Sequence, residues 1–331
     1  MKIRIILVAA LGIALALYLV THVGLGAVVS AAAAVGWGGF AVICLYALGL
    51  LLLLGIAWYV LLPESSCTRL RVFVWGRMVR DAAGDLLPFS QIGGMVLGAR
   101  AAILHGVSQP LAFASMIVDV TTEMLAQIAY IALGLLILSA RVPRTSFAAS
   151  LTTVFVVGLV VAALAGAVFV ALQRHGHRLT ERLAARLLPR AFAVTSAIGA
   201  ALDAIYGSSA RVGMSAALHL AGWIASAIGT WLAFRLIGVQ VDLAAVMAIE
   251  SLVNATRSAA VIVPNALGVQ EAAYALLAPL FGVGSEFGLA VSLLKRARDV
   301  AVGVPILLIW QAVEGQRALS GDAGGGVIHS K

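Results

Sequence analysis

Five stretches of this chain stay apolar for longer than a bilayer is thick, and that restricts the folds open to it. They are Ile5–Val23, Phe40–Leu62, Pro110–Ala140, Ala148–Leu172 and Val212–Ile237, each with few or no charges. About 20 helical residues cross about 30 Å of hydrocarbon, and backbone in lipid must bond to itself, so each stretch reads as a spanning helix. A sixth, Glu286–Val313, is equally long but carries Lys295, Arg296, Arg298 and Asp299 near its middle. Composition points the same way. Of 331 residues 62% are hydrophobic and 11% charged, whereas a soluble domain carries about 25% charged. The start Met1, Lys2, Ile3, Arg4 before an apolar run resembles a signal peptide, but no clear small-x-small cleavage site follows, so an uncleaved first helix is expected.

Lys and Arg assign the sides of the membrane. With the N-terminus inside, Arg69–Arg80, Arg174–Arg190 and the tail are cytoplasmic, and the outer loops keep only Arg141 and Arg144. Two stretches fit neither spans nor loops. Ser66–Asp85 leads into an apolar segment broken by Pro88, Gly93 and Gly94, and Leu243–Val263 leads through Pro264 into a second. Two helical arms around a Pro/Gly break are how a re-entrant hairpin would be written. A shift of 176 residues places Pro88 on Pro264 and Ala99 on Ala275, and carries Phe40–Leu62 and Pro110–Ala140 onto the last two spans. Three crossings separate the units, so the repeat is inverted, the build of secondary transporters. The expected fold is an all-α integral membrane protein of about six spanning helices plus two re-entrant helical hairpins in an inverted repeat. Residues 1–313 form one transmembrane domain (repeats about 40–140 and 212–313), and 314–331 a flexible cytoplasmic tail.

Charges at membrane depth define the candidate site. Arg296 lies ten residues into the last span, about 15 Å deep. Glu271 follows the Pro264 break by seven residues, with Gly268 between them, so it is expected to lie as deep and to meet Arg296. Glu250, Asn254 and Arg257 share one face of a hairpin arm. Asp119 and Glu123 lie well inside the Pro110–Ala140 span, Arg100 on the first hairpin's return arm, and Asp299 beside Arg296. The 176-residue shift superposes Asp119 on Lys295 and Glu123 on Asp299. A lone charge at a helix centre costs at least about 2.5 kcal/mol, so these groups must pair, line a wet cavity, or both. Ion pairs that lock the repeats together are one reading, with Asp119 and Glu123 neutralising Arg100 or Lys295. A polar cavity for a lipid headgroup or coupling ion is the other.

The net charge of +8 suits an anionic leaflet better than nucleic acid, since no soluble domain exists to hold the latter. Arg174, Arg178, Arg182, Arg186 and Arg190 recur every four residues among leucines, the pattern of an interfacial helix on anionic headgroups. His175 and His177 lack a carboxylate or Cys at ligand spacing, and Cys44 and Cys67 read as reduced packing residues, so no metal and no cofactor is expected. His219 reads as a core hydrogen-bonder, and Trp37, Trp58 and Trp310 as headgroup-level anchors. There is no nucleophile elbow, phosphate loop or HExxH, and nothing argues for an enzyme.

The segments Leu86–Leu104, Asp119–Gln127, Glu250–Tyr274 and Ser292–Asp299 together resemble the flippase-like membrane domain of the lysylphosphatidylglycerol synthases. Within that superfamily the chain looks most like the hopanoid-biosynthesis-associated membrane protein family. By this resemblance Pro264, Gly268 and Glu271 match the family's turn, and Arg296 its basic position in the next helix. Asn265 stands where Gly is expected, and Asn tolerates positive φ better than most residues. The resemblance implies movement of a lipid across or out of the bacterial cytoplasmic (inner) membrane, with membrane lipids as partners and a hopanoid as candidate cargo. The synthases' soluble aminoacyl-transferring part is absent from these residues. A headgroup-modifying enzyme, a non-transporting scaffold for hopanoid biosynthesis and a homo-oligomer stay open.

Overall fold

The chain's long apolar runs become helices at nearly the expected bounds. The computed structural model describes residues 33, 35–63, 69–87, 90–143, 145–175, 189–260, 263–266 and 268–323. Among these there are ten α-helices, two 3-10 turns and no strand. In order they are α1 (Gly36–Val60), α2 (Leu70–Leu86), α3 (Ser90–Leu104), α4 (Gln109–Arg141) and α5 (Ser146–His175). They continue with α6 (Pro189–Tyr206), α7 (Ser209–Leu236), α8 (Leu243–Ala259), α9 (Val269–Leu277) and α10 (Ser285–Ala323). The 3-10 turns are Pro264–Ala266, before α9, and Ala278–Phe281, after it. The Ile5–Val23 run, Cys67, Pro88, Arg144, His177, most of the Arg174–Arg190 stripe with all its side chains, and the Gly325–Ser330 tail lie outside what is described.

Among the described residues four helices, α1, α4, α5 and α7, are long and apolar enough to cross a membrane. The contrast between α5 and the rest shows what the apolar surface faces. Only 6% of the Ala148–Gln173 window is buried, and Val154, Val157, Val161, Leu164, Val168 and Leu172 all point outward. A helix apolar all round and exposed all round needs lipid as its solvent. α10 contains Pro305 and the charged Lys295–Asp299 stretch, which sets it apart from those four.

The element order long helix, short arm, short arm, long helix occurs twice, as α1–α4 and α7–α10. The halves interlock, since α2 packs on α10, α8 on α4 and α7 on both α1 and α4. One apolar cluster gathers α4, α7, α8, α9 and α10 around Phe234, Ile249, Leu252 and Leu294. A second gathers α1, α2, α3, α4 and α6 around Trp58, Phe73, Met116 and Ile205. Trp58, expected at headgroup level, is fully buried there and donates to Ser115 Oγ at 3.1 Å. Its partner on α4 satisfies the indole N–H that an interfacial Trp would give to water or headgroups. Trp37 is exposed, as expected.

The two hairpins are held differently. Gly93 and Gly94, read as part of the first break, sit inside the continuous helix α3. Gly94 is there for proximity: a Cβ would meet the Arg80 carbonyl oxygen at 2.5 Å, and one on Gly98 would meet Arg80 Cβ at 2.8 Å. The α2 and α3 backbones therefore run almost in contact. In the second hairpin the break is conformational. Asn265 (φ +49°), Ala266 (φ +46°) and Gly268 (φ +77°) turn the chain through the left-handed region. Asn265 fills the Gly place that the sequence left open, and its Nδ2 donates to the Asp85 carbonyl at 2.5 Å, tying the two hairpins together.

Candidate functional site

α2 is amphipathic and, with five charges from Arg71 to Asp85, places Arg77, Arg80, Asp81 and Asp85 within little more than two turns. Arg77 and Arg80 belong to the Arg69–Arg80 segment, and the structure buries both, 3% and 8% exposed, against α4. Arg77 donates to Glu123 Oε1 at 2.6 Å, to Glu123 Oε2 at 3.1 Å, to Asp119 Oδ2 at 3.4 Å and to Asp81 Oδ2 at 2.8 Å. Arg80 donates to Asp119 Oδ2 at 2.6 Å and Glu123 Oε2 at 2.5 Å. His219 of α7 closes the cluster with Nε2 2.9 Å from Asp119 Oδ1. Asp119 and Glu123 are thus paired with Arg77 and Arg80, not with Arg100 or Lys295. Two planar guanidinium forks reach two carboxylates at once, which a single ammonium cannot do.

The equivalent elements of the second half carry the opposite arrangement. Lys295 of α10 falls on Asp119 of α4 under the 176-residue shift, and its acid Glu250 comes from α8, as the arginines that meet Asp119 come from α2. Lys295 Nζ donates to Glu250 Oε1 and Oε2 at 2.9 and 2.7 Å, to Tyr274 Oη at 2.8 Å and to Thr230 Oγ1 at 3.2 Å. Both charges are buried, Glu250 at 0% exposure. Asn254, one turn on from Glu250, returns its Nδ2 to the Glu250 carbonyl at 2.9 Å.

Glu271 and Arg296 do meet, in a two-point pair. Arg296 also donates to the Asn265 carbonyl at 3.4 Å and the Ala266 carbonyl at 3.3 Å. It therefore satisfies the oxygens that the left-handed break leaves without helical partners, while Glu271 lies in the favourable first turn of α9. Arg298 pairs with its neighbour Asp299 at 2.5 Å, and Arg257 with Asp85 at 3.7 Å. Arg100 is half exposed and pairs with Glu314 at 2.8 Å.

These groups surround one cavity of about 470 Å³. Arg77, Arg80 and Glu123 line it from the first half, and His219, Asn254, Arg257, Lys295 and Arg298 from the second. Its apolar wall comes from Leu50, Leu54, Met95 and Val120. Of the residues singled out in the sequence, Glu123, Asn254 and Arg257 face this space, and Asp119, Glu250 and Asp299 stand behind its lining in contact with it. Glu271, Arg296, Pro264 and Gly268 build the hairpin break beside it, and Arg100 is not among its walls. Arg77, Arg80, Asp81, Asp85, Lys295 and Arg298 were not among the candidates. One signal could have found the first two: arginines at i and i+3, each within four residues of Asp81, describe a helix face that cannot stay in lipid unpaired. Among the described residues no group of His, Cys, Asp and Glu could hold a metal ion.

Lipid-facing helices around buried ion pairs and a polar cavity define the class: this is a helical membrane protein with a charged interior. The family model for the lysylphosphatidylglycerol synthase TM region matches residues 5–306, and the chain belongs to that family. No curated protein and no solved structure matches the chain.

Proposed function

We propose that this protein is a flippase-like transporter that moves a lipid across or out of the bacterial inner membrane through the cavity between its halves. The cavity is the observation that carries this reading. It joins paired charges from both halves to an apolar wall, the two surfaces an amphiphile presents. Its 470 Å³ is the size of an ordinary small-ligand pocket, so it takes a headgroup while the tails stay in the bilayer. Family membership supports lipid handling. A hopanoid is the candidate cargo by resemblance, and membrane lipids, with anionic headgroups at the cytoplasmic face, are the partners. No enzymatic step, cofactor or nucleic acid enters.

In this reading α1–α4 and α7–α10 are inverted repeats, and the short arms are re-entrant. α9 has nine residues, about 14 Å at 1.5 Å per residue, half the hydrocarbon thickness. Single cysteines at Thr145 and Gln240, both exposed, should react with an impermeant reagent from outside, and one at Arg71 only after permeabilisation. Labelling of all three from one side would remove the inverted repeat. The function is tested by comparing lipids of the inner and outer membranes with and without the protein. The cargo should accumulate on its side of origin when the protein is absent, and unchanged distribution of every lipid would sink the transport reading.

A further inference from the structure

The charges around the cavity do not balance, and the imbalance is local. Lys295 with Glu250, Arg257 with Asp85, and Arg298 with Asp299 match one to one. The remaining cluster sets Arg77 and Arg80 against Asp81, Asp119 and Glu123, two cations against three carboxylates. Its centre is sealed, with the Asp119 and His219 side chains both at 0% exposure. A buried negative charge in surplus is costly. Among the described residues in contact with the cluster, His219 is a base that can cancel it by holding a proton.

The hydrogen bonding fixes how. An ionised carboxylate only accepts, and Asp119 already accepts from Arg80 and Arg77. Nε2 of His219, 2.9 Å from Asp119 Oδ1, must then carry its hydrogen toward it. That leaves Nδ1 as the basic nitrogen, and Nδ1 is buried with no hydrogen-bond partner among the described residues. His219 is also a wall of the cavity. We propose that His219, held by Asp119, is a binding site for one exchangeable proton that enters from the cavity. Resting on the transport reading, we take lipid movement to be coupled to its occupancy. With the proton on Nδ1 the cluster is neutral and closed. Without it the cluster holds one uncompensated negative charge and loosens around Asp119 and Glu123.

The helices around α7 carry the following charged and titratable groups. α4 brings Asp119 and Glu123, and α2 brings Arg77 and Arg80 across the cluster. α10 brings Lys295, bonded to Glu250 of α8. α1 carries no charged residue, only Cys44, Tyr46 and Tyr59, and Tyr46 donates to the Ala225 carbonyl at 2.8 Å. α6 brings Asp203 and Tyr206, the latter donating to Gln173 at 2.5 Å. α7 itself adds Arg211 at its first turn.

The test uses His219→Gln, which keeps a donor for Asp119 and so preserves the fold, as a thermal melt will check. Purified wild type and variant are titrated in detergent from roughly pH 9 to pH 5, the range in which histidine exchanges, and bound protons are counted. Wild type should take up about one more proton than the variant. Equal uptake would show a histidine frozen in one state and overturn the site. The second arm uses vesicles of phosphatidylethanolamine and phosphatidylglycerol with a fluorescent phosphatidylglycerol as probe. Probe movement by wild type should change with pH by up to about tenfold per unit, the slope of one proton, and movement by the variant should be flat. A variant that keeps the wild-type pH response overturns the coupling. An extra proton in wild type with no probe movement by either protein supports the site and counts against transport of that probe instead.

Discussion

The two halves of the molecule bury charge at equivalent places, in opposite sign and with different completeness. In the second half one ammonium meets one carboxylate, and all three of its hydrogens find acceptors in Glu250, Tyr274 and Thr230. In the first half two guanidiniums meet three carboxylates, joined by an imidazole that α7 lends from the second half, and Nδ1 of that imidazole is left over. A matched, fully bonded pair has one stable state and suits a lock. A cluster that is one charge short of balance, with a nitrogen left unbonded, suits the proton site proposed above. The hairpins differ in the same spirit. The first is packed backbone against backbone through glycine, and the second is bent through left-handed residues and held by Arg296.

The largest expected effect is Asp119→Ala, which takes from Arg80 one of its two carboxylates and leaves His219 Nε2 without its partner in a buried site. Removing one partner of a buried pair costs about 3–5 kcal/mol, read as a loss of thermal stability in detergent. A loss below about 1 kcal/mol would mean that the first cluster is solvated, and the contrast with the second would vanish. Next comes Gly94→Ala in the first hairpin. Its Cβ collides with a carbonyl on the other arm, and such overpacking costs about 1–3 kcal/mol. Gly268→Ala in the second hairpin has open space around its Cβ, so it pays only the left-handed penalty of about 1–2 kcal/mol. Equal melting temperatures for the two alanines would argue that the hairpins are held alike.

Lys295→Met with Glu250→Leu tests the lock directly. Each single change leaves a lone buried charge, but the pair replaced by apolar groups should return to within about 1 kcal/mol of wild type. Failure of the double variant to recover would show that Lys295 does more than neutralise Glu250. The smallest effect is at the outer rim. Burial works against the Asp242 carboxylate, but the Ala245 N–H it caps at 3.1 Å and the Arg141 guanidinium outweigh this and hold it below its ordinary 3.8. Its contribution to stability is therefore fully present above pH 3.8 and lost as pH falls through the lowered value. Both side chains are about half exposed, so Arg141→Gln should cost a few tenths of a kcal/mol after screening. A melt that shifts as much as for Gly94→Ala would place this pair in the core.

What the sequence by itself determined is the membrane class and the helix map, because a bilayer demands long apolar runs and internally bonded backbone. Phe40–Leu62 became Gly36–Val60, and Pro110–Ala140 became Gln109–Arg141, to within a few residues at each end. The break at Asn265 was also legible, since few residues adopt positive φ and the chain spends an Asn there. So was the pairing of Glu271 with Arg296, because depth alone put both at one level. Only the tertiary structure decided which charge meets which. The burial of Arg77 and Arg80 was not legible because it depends on partners 39 to 46 residues away, and hydropathy sees a charge without its partner. Arg100 read as buried for the converse reason: its helix is apolar, but the turn of that helix aims it outward to Glu314. The surplus carboxylate beside His219 exists only as a sum over three helices, α2, α4 and α7, and no local stretch of sequence carries such a sum.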